Sequence, residues 1–218
     1  EELGAACIDM GGGTTTISIF AEGRLVHADV LPVGGGHVTM DLARGLSTRR
    51  DHAERLKVMQ GSALPVGDND RDLVTIQPMG PDEGDVPQHV PRAVMNKIIR
   101  ARIEETLELV RDHLNRSGFG GVVGKRVVLT GGASQLAGLP EVARRILARN
   151  VRLGRPLGVT GLPEAAKGPA FATTVGLLIY PQVASFESRH GAMRTPRLRA
   201  NGTGGRFQRV SQWLRDSF

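Results

Sequence analysis

One cysteine, one tryptophan and one tyrosine in 218 residues remove several functions at the outset. With Cys7 alone no internal disulfide can close, and a single thiolate cannot build a structural zinc site. Cys7 lies in an apolar run and reads as a small core residue of a cytosolic protein. The six histidines, at 27, 37, 52, 89, 113 and 190, show no ligand spacing, so no protein-built metal centre is expected. Long apolar runs are lacking too. The stretch Thr174–Tyr180 falls well short of the roughly 20 residues that cross a bilayer, and no secretory leader pattern opens the chain. Acidic excess is absent, the net charge being +6, which looks like a nucleic-acid signal until it is located along the chain. From Glu187 to Phe218 seven arginines (189, 194, 197, 199, 206, 209, 215) face Glu187 and Asp216, a net +5, so residues 1–186 carry +1. The basic character belongs to a tail. With 4% aromatics there is little to stack bases, and no nucleic-acid partner is expected.

What is present is periodic. Ala5–Met10, Thr15–Phe20 and Arg24–Pro32 are short apolar or β-rich segments joined by a glycine loop and by Ala21-Glu22-Gly23, and they read as a three-stranded antiparallel meander. Val38–Gly45 and Asp51–Gln60 show helical spacing, the second with Asp51 as its expected N-cap. Residues 61–88, rich in Gly, Pro and Asp, break that pattern, with one strand candidate at Leu73–Ile76. Arg92–Asn115 carries Val94, Ile98, Ile99, Ile103, Leu107, Val110 and Leu114 on one stripe, which predicts a long amphipathic helix. A strand at Arg126–Thr130, a helix at Leu139–Arg149, a strand at Val151–Leu153 and a helix at Pro169–Tyr180 follow. The sum is an α/β layered domain with a small α+β lobe inserted. Residues 185–205 read as a flexible linker. Beyond it Phe207, Val210, Trp213, Leu214 and Phe218 recur at helical spacing, a short amphipathic helix on a tether.

The glycines carry the chemistry. Gly11, Gly12 and Gly13, followed by Thr14 and Thr15, lie between two strands and beside Asp9. Glycine lets backbone N–H groups approach an anion closely, so the loop reads as a phosphate cradle; the plainer reading is a hairpin turn. It is not a dinucleotide fingerprint, because Thr16 stands at the sixth position and a strand follows instead of a helix. Gly121 to Arg126 is not a Walker loop either. The strand ending at Thr130 delivers Gly131, Gly132 and Ala133 at its carboxyl end, where open α/β sheets place ligands, although an ordinary strand-to-helix turn would look the same. Glu54 and Lys57, three apart on one helix, could equally form a solvated ion pair.

Taken in order, Asp9-x-Gly-Gly-Gly-Thr-Thr, Ala53-Glu54-x-x-Lys57 and Leu129-Thr-Gly-Gly-Ala-Ser resemble the second half of the actin-like ATPases, a ribonuclease H-like superfamily that includes actin, MreB and the DnaK-type chaperones. Val38-Thr39-x-Asp41-Leu-Ala43, Ala53-Glu-Arg-Leu-Lys-Val-x-x-Gly61-Ser-Ala-Leu64 and Ala172-Thr-Thr-Val-Gly-Leu-Leu178 are similar to one branch, the FtsA family of bacterial cell-division proteins. The closing Ser211-Gln-Trp-Leu-Arg-Asp-Ser-Phe218 resembles that family's membrane-targeting helix. The resemblance implies a mixed five-stranded sheet with flanking helices. It divides the chain into subdomain IIA (1–60 and 118–184, nucleotide-binding), an inserted subdomain IIB (61–117), a linker (185–205) and a membrane-targeting helix (206–218).

It also implies roles. ATP and Mg²⁺ are the expected ligands: Asp9 would hold the metal's water shell, Gly11 to Thr15 would wrap the phosphates, Glu54 and Lys57 would line the ribose and adenine, and Gly131 to Ala133 would complete the adenosine pocket. Arg92 would meet the acidic C-terminal tail of FtsZ. Phe207, Val210, Trp213, Leu214 and Phe218, with Arg206, Arg209 and Arg215, would lie in an anionic membrane surface. Further implied partners are a second copy in an actin-like filament and later division proteins, at the cytoplasmic face of the cell membrane and the division site. The first phosphate loop would precede Glu1, so a fragment lacking half of the cleft is expected, inactive alone and a slow ATPase at most in full length. The alternative is the ATP domain of a pilus-assembly actin homologue, a chaperone or a sugar kinase, none of which needs a tethered amphipathic helix.

Overall fold

The computed structural model describes residues 4–65, 72–78, 86–121, 123–157 and 159–190. β1 (Ala5–Met10), β2 (Thr15–Ala21) and β3 (Arg24–Leu31) form the expected antiparallel meander, with Asp9 opposite Thr16 and Met10 opposite Thr15. Helix α1 (Gly35–Gly45) and helix α2 (Arg50–Gln60) follow. β4 (Leu73–Ile76) pairs with β5 (Gln88–Pro91) in a separate two-stranded sheet, and the 25-residue helix α3 (Arg92–Arg116) leaves directly from β5. β6 (Arg126–Thr130), helix α4 (Leu139–Leu147) and β7 (Asn150–Leu153) complete the main sheet, β6 lying parallel to β1 and β7 parallel to β6. The order is β3-β2-β1-β6-β7, a mixed five-stranded sheet.

Alternation along the strands decides which face is covered. Ala6, Ile8 and Met10, Ile17 and Ile19, Val127 and Leu129, and Val151 are buried, and they share one apolar cluster with Val38 and Leu42 of α1, Ile99 to Leu114 of α3 and Val142 of α4. Burying a large aliphatic side chain is worth about 1.5–3 kcal/mol, so this layer is the main source of stability. Burial raises the Cys7 thiol above its usual range, consistent with packing and not with a reactive thiolate.

Several boundaries differ from the expected ones, each for a physical reason. α1 starts three residues early, at Gly35, because Gly34 N–H is satisfied by His37 Nδ1 (3.1 Å). Asp51 is not the cap of α2: Arg49 is, and the Asp51 carboxylate sits within the first turn on Arg49 Nε (3.2 Å), where the helix dipole favours it. β5 was hidden by its short, polar, proline-terminated sequence. α4 stops at Leu147 because Ala148 takes a left-handed φ of 50°, which redirects the chain into β7. Short 3-10 turns occupy Glu164–Lys167 and Pro169–Phe171, so the last helix, α5 (Ala172–His190), begins after Pro169 and runs through Pro181. Residues 185–190, expected in the linker, contain no glycine or proline and continue this helix. The main body ends at Ile179 and a second unit begins at Tyr180. The rest of the linker and the helix expected at 206–218 lie outside the described residues. Among those residues no helix is long and apolar enough to cross a membrane.

Candidate functional site

The site forms at the carboxyl end of β1, where two glycine runs interlock. The β1–β2 loop turns on a bond from Gly11 N–H to Thr14 O (2.9 Å), and the first turn of α1 docks on it through Gly35 N–H to Gly11 O (2.9 Å) and Gly36 N–H to Gly12 O (2.7 Å). The contact is main chain on main chain. A Cβ on Gly34 would stand 2.6 Å from Gly11 O, and one on Gly36 2.9 Å from Gly12 O. In a trans peptide the C=O and the following N–H point to opposite sides, so seating these two carbonyls on α1 turns the amides of Gly12 and Gly13 the other way. A Cβ built at either glycine would meet nothing within 4 Å, so the loop tip is uncrowded. Backbone amides on an uncrowded glycine loop are what an anion cradle requires. Nothing in the periodicity marks Gly34 to Gly36, since glycines ahead of an amphipathic helix read as plain loop; the repeat of a three-glycine run was the available signal.

Glu54 and Lys57 form a pair that is solvated at one end only, the Glu54 side chain being 48% exposed. The Lys57 side chain is 13% exposed, and its ammonium donates to Glu54 Oε2 (2.7 Å), Thr39 Oγ (2.9 Å) and Gly35 O (3.2 Å). Thr39, buried in α1, also donates to Glu54. Burial by itself would raise the Glu54 carboxyl; the hydrogen bonds from Lys57 and Thr39, with Arg50 nearby, outweigh it and hold the group below the usual carboxylate range.

The third wall follows β6. Gly131, at φ 84°, sits so close to β1 that a Cβ would lie 2.3 Å from Asp9 Oδ1. Its N–H donates to Pro169 O (3.1 Å), and Ser134 Oγ closes the 3-10 turn on Gly131 O (2.7 Å). Asp9 itself accepts a bond from Thr173 Oγ on α5 (2.6 Å), which fixes one carboxylate oxygen at the loop's base. A single held carboxylate fits a hydrated Mg²⁺ that takes its other ligands from water and phosphate.

These walls enclose a cleft of about 720 Å³, within the range of small-molecule sites of about 300–1,000 Å³. Gly11, Gly12, Glu54, Lys57, Gly132 and Ala133 line it together. Gly35, Gly36, Arg50, Val58, Met59 and Leu136 join them unannounced; Val58 and Met59 are exposed, at 67% and 78%, and a singly exposed apolar side chain on a helix carries no signal of a ligand. Gly13 and Thr14 stand exposed at the loop tip. The hydroxyl of Thr15 cannot serve a phosphate: it is buried and donates to Val33 O (2.8 Å). Gly131 acts one layer back, giving Asp9 its room. Arg92 lies at the start of α3, paired with Asp72 (3.0 Å). The eight membrane-facing candidates from Arg206 to Phe218 lie outside the described residues.

Sheet order, inserted lobe and cleft together define an actin-like ATPase fold. MreB5 of Spiroplasma citri, solved bound to ADP, superposes with a TM-score of 0.67 over 87% of this chain and 56% of its own, at 15% identity. At the level of sequence, the family model for cell division protein FtsA matches residues 6–176. The cell division proteins FtsA of Rhizobium meliloti (217 residues aligned) and Agrobacterium fabrum (219 residues) are each 65% identical over 100% of this chain and 49% of their own length. The chain belongs to the FtsA family of cell division proteins. It spans about half the length of these curated relatives, and the sugar-kinase, chaperone and pilus-assembly alternatives are set aside.

Proposed function

We propose that this chain is the nucleotide-binding half, subdomains IIA and IIB, of an ATP-dependent scaffold that holds the FtsZ ring at the cytoplasmic membrane. The observation that carries the reading is the convergence of the Gly11–Gly12 loop, the Glu54–Lys57 pair and the Gly132–Ala133 turn on one cleft. Amides of Gly12 and Gly13 receive phosphate oxygens. Asp9, held by Thr173, orients the water shell of Mg²⁺, which when bound neutralises phosphate charge. Glu54 is kept ionised and able to accept from ribose hydroxyls, while Val58, Met59 and Leu136 supply apolar surface for the base. ATP acts chiefly as a structural ligand, with slow hydrolysis at most in the full-length protein, which assembles as an actin-like filament and recruits later division proteins. Arg92, already paired with Asp72, offers a charge-assisted site to the acidic FtsZ tail. The amphipathic residues 206–218 supply a reversible membrane anchor, made firm when linked copies bind together.

Nitrogen-15 NMR of this chain titrated with Mg-ATP to millimolar concentration tests the cleft, since the method reads weak binding. Shift changes are expected at the amides of Gly12, Gly13, Gly36 and residues 132–137. No change there, or changes centred elsewhere, would refute the assignment.

A further inference from the structure

Lys57 lines the cleft, yet an ammonium has three N–H bonds and all three are used on protein: Glu54 Oε2, Thr39 Oγ and Gly35 O, at 2.7, 2.9 and 3.2 Å. Its load therefore passes into α1. Gly35 is gripped from both ends, because its carbonyl accepts from Lys57 while its amide donates to Gly11 O (2.9 Å) in the glycine loop. The junction of this arrangement is the hydroxyl of Thr39, which accepts from Lys57 and donates to Glu54 and lies within 3.2 Å of Gly35 O. One hydroxyl has one hydrogen, and the shorter contact directs it to Glu54, leaving the Gly35 carbonyl to Lys57. Thr39 is 1% exposed, so its hydroxyl is committed to these protein partners.

We infer that Thr39 is a positioning residue for the nucleotide cleft: through Lys57 and Gly35 its hydroxyl sets where the Gly11–Gly12 loop sits relative to α2. Thr39 touches no ligand. The inference rests on the cleft being the nucleotide site, but its geometry concerns the protein alone and can be tested without nucleotide.

The test compares the intact chain with Thr39→Val, which keeps the volume and deletes the hydroxyl, and with Thr39→Ser, which keeps the hydroxyl. Two readouts are needed: hydrogen exchange at the Gly35 and Gly36 amides, and the Glu54 carboxyl titration by carbon-13 NMR. Thr39→Val is expected to speed exchange at both amides about tenfold, the effect of losing roughly one net hydrogen bond from a local opening, and to move the Glu54 titration up toward the ordinary carboxylate range. Thr39→Ser is expected to restore both. Unchanged exchange in Thr39→Val, or a Thr39→Ser chain that behaves like Thr39→Val, would overturn the inference. So would acceleration spread equally over the β1 and β6 amides, which would mark a general loss of stability. A Mg-ATP titration of the same samples is scored separately: silence there counts against the nucleotide reading and leaves the exchange result standing.

Discussion

At the scale of single residues, the glycines of the cleft divide by what a methyl group would meet. Gly34→Ala drives a Cβ into the Gly11 and Gly12 carbonyls, at 2.6 and 2.8 Å, and backbone cannot swing aside as a side-chain tip can. Overpacking of this kind costs about 2 kcal/mol, a fall in Tm of roughly 4–8 °C for a domain of this size, measurable by calorimetry. Gly13→Ala meets nothing and should leave Tm within about 2 °C, a change under about 0.5 kcal/mol, while abolishing the Mg-ATP shifts, since the methyl group occupies the approach to the loop. A Tm loss in Gly13→Ala equal to that in Gly34→Ala would contradict this division. Replacing Lys57 with Met deletes three hydrogen bonds at once and leaves the Thr39 and Glu54 acceptors facing a hydrocarbon chain. Stability should drop by about 1–3 kcal/mol, read as a lower urea midpoint.

At the scale of elements, the fold was legible wherever the signal was local. Ile8 and Met10, or Val110 and Leu114, sit at the right period for their strand or helix, and the sheet face and the long helix follow from that. What escaped was set by partners distant in sequence. Gly34 to Gly36 matter because of Gly11 and Gly12, Thr15 is withdrawn from ligand duty by Val33, and β5 exists because β4 is there to pair with it. The site was readable in its glycines and charges and unreadable in its apolar wall for the same reason. One further long-range link joins α3 to the sheet edge: His113 Nδ1 is hydrogen-bonded to Asp29 on β3, and that bond, with the Val30 amide, holds the Asp29 carboxyl below its ordinary value. A depressed carboxyl contributes stability that is complete above its unfolded value, about 3.9, and lost as pH falls through the lower native one. Urea midpoints measured downward from pH 5 should therefore decline below about pH 4, and the decline should be shallower in Asp29→Asn. An identical acid profile in the variant would exclude Asp29 as a contributor.

At the scale of the whole molecule, the tail sets the cellular address proposed here. Trp213→Glu places a charge where the amphipathic pattern puts its largest apolar group, worth about 1.5–3 kcal/mol on burial. Sedimentation with anionic liposomes should fall at least tenfold, by the same conversion of roughly 1.4 kcal/mol per decade, while the circular dichroism of the body stays unchanged; undiminished sedimentation would remove the anchor from the proposal. The body itself has a mechanical feature in α3. It starts at Arg92 beside β5, is clamped by two bonds from Arg102 to Asp41 on α1, of 2.5 and 3.2 Å, and brings Ile103 into the cleft wall. That clamp is one tie among several: Asn96 Oδ1 accepts from the Ser62 amide (3.0 Å), Arg145 reaches Glu104, and His113 bonds Asp29, while Met95, Ile99, Ile103, Leu107, Val110 and Leu114 are buried along the helix. At about 1.5 Å per residue its 25 residues span roughly 37 Å. The helix is therefore a strut and not a hinge: the end that carries Arg92 and the turn that carries Ile103 belong to one rod packed along its length, so a load on the first is borne by the same core that backs the second.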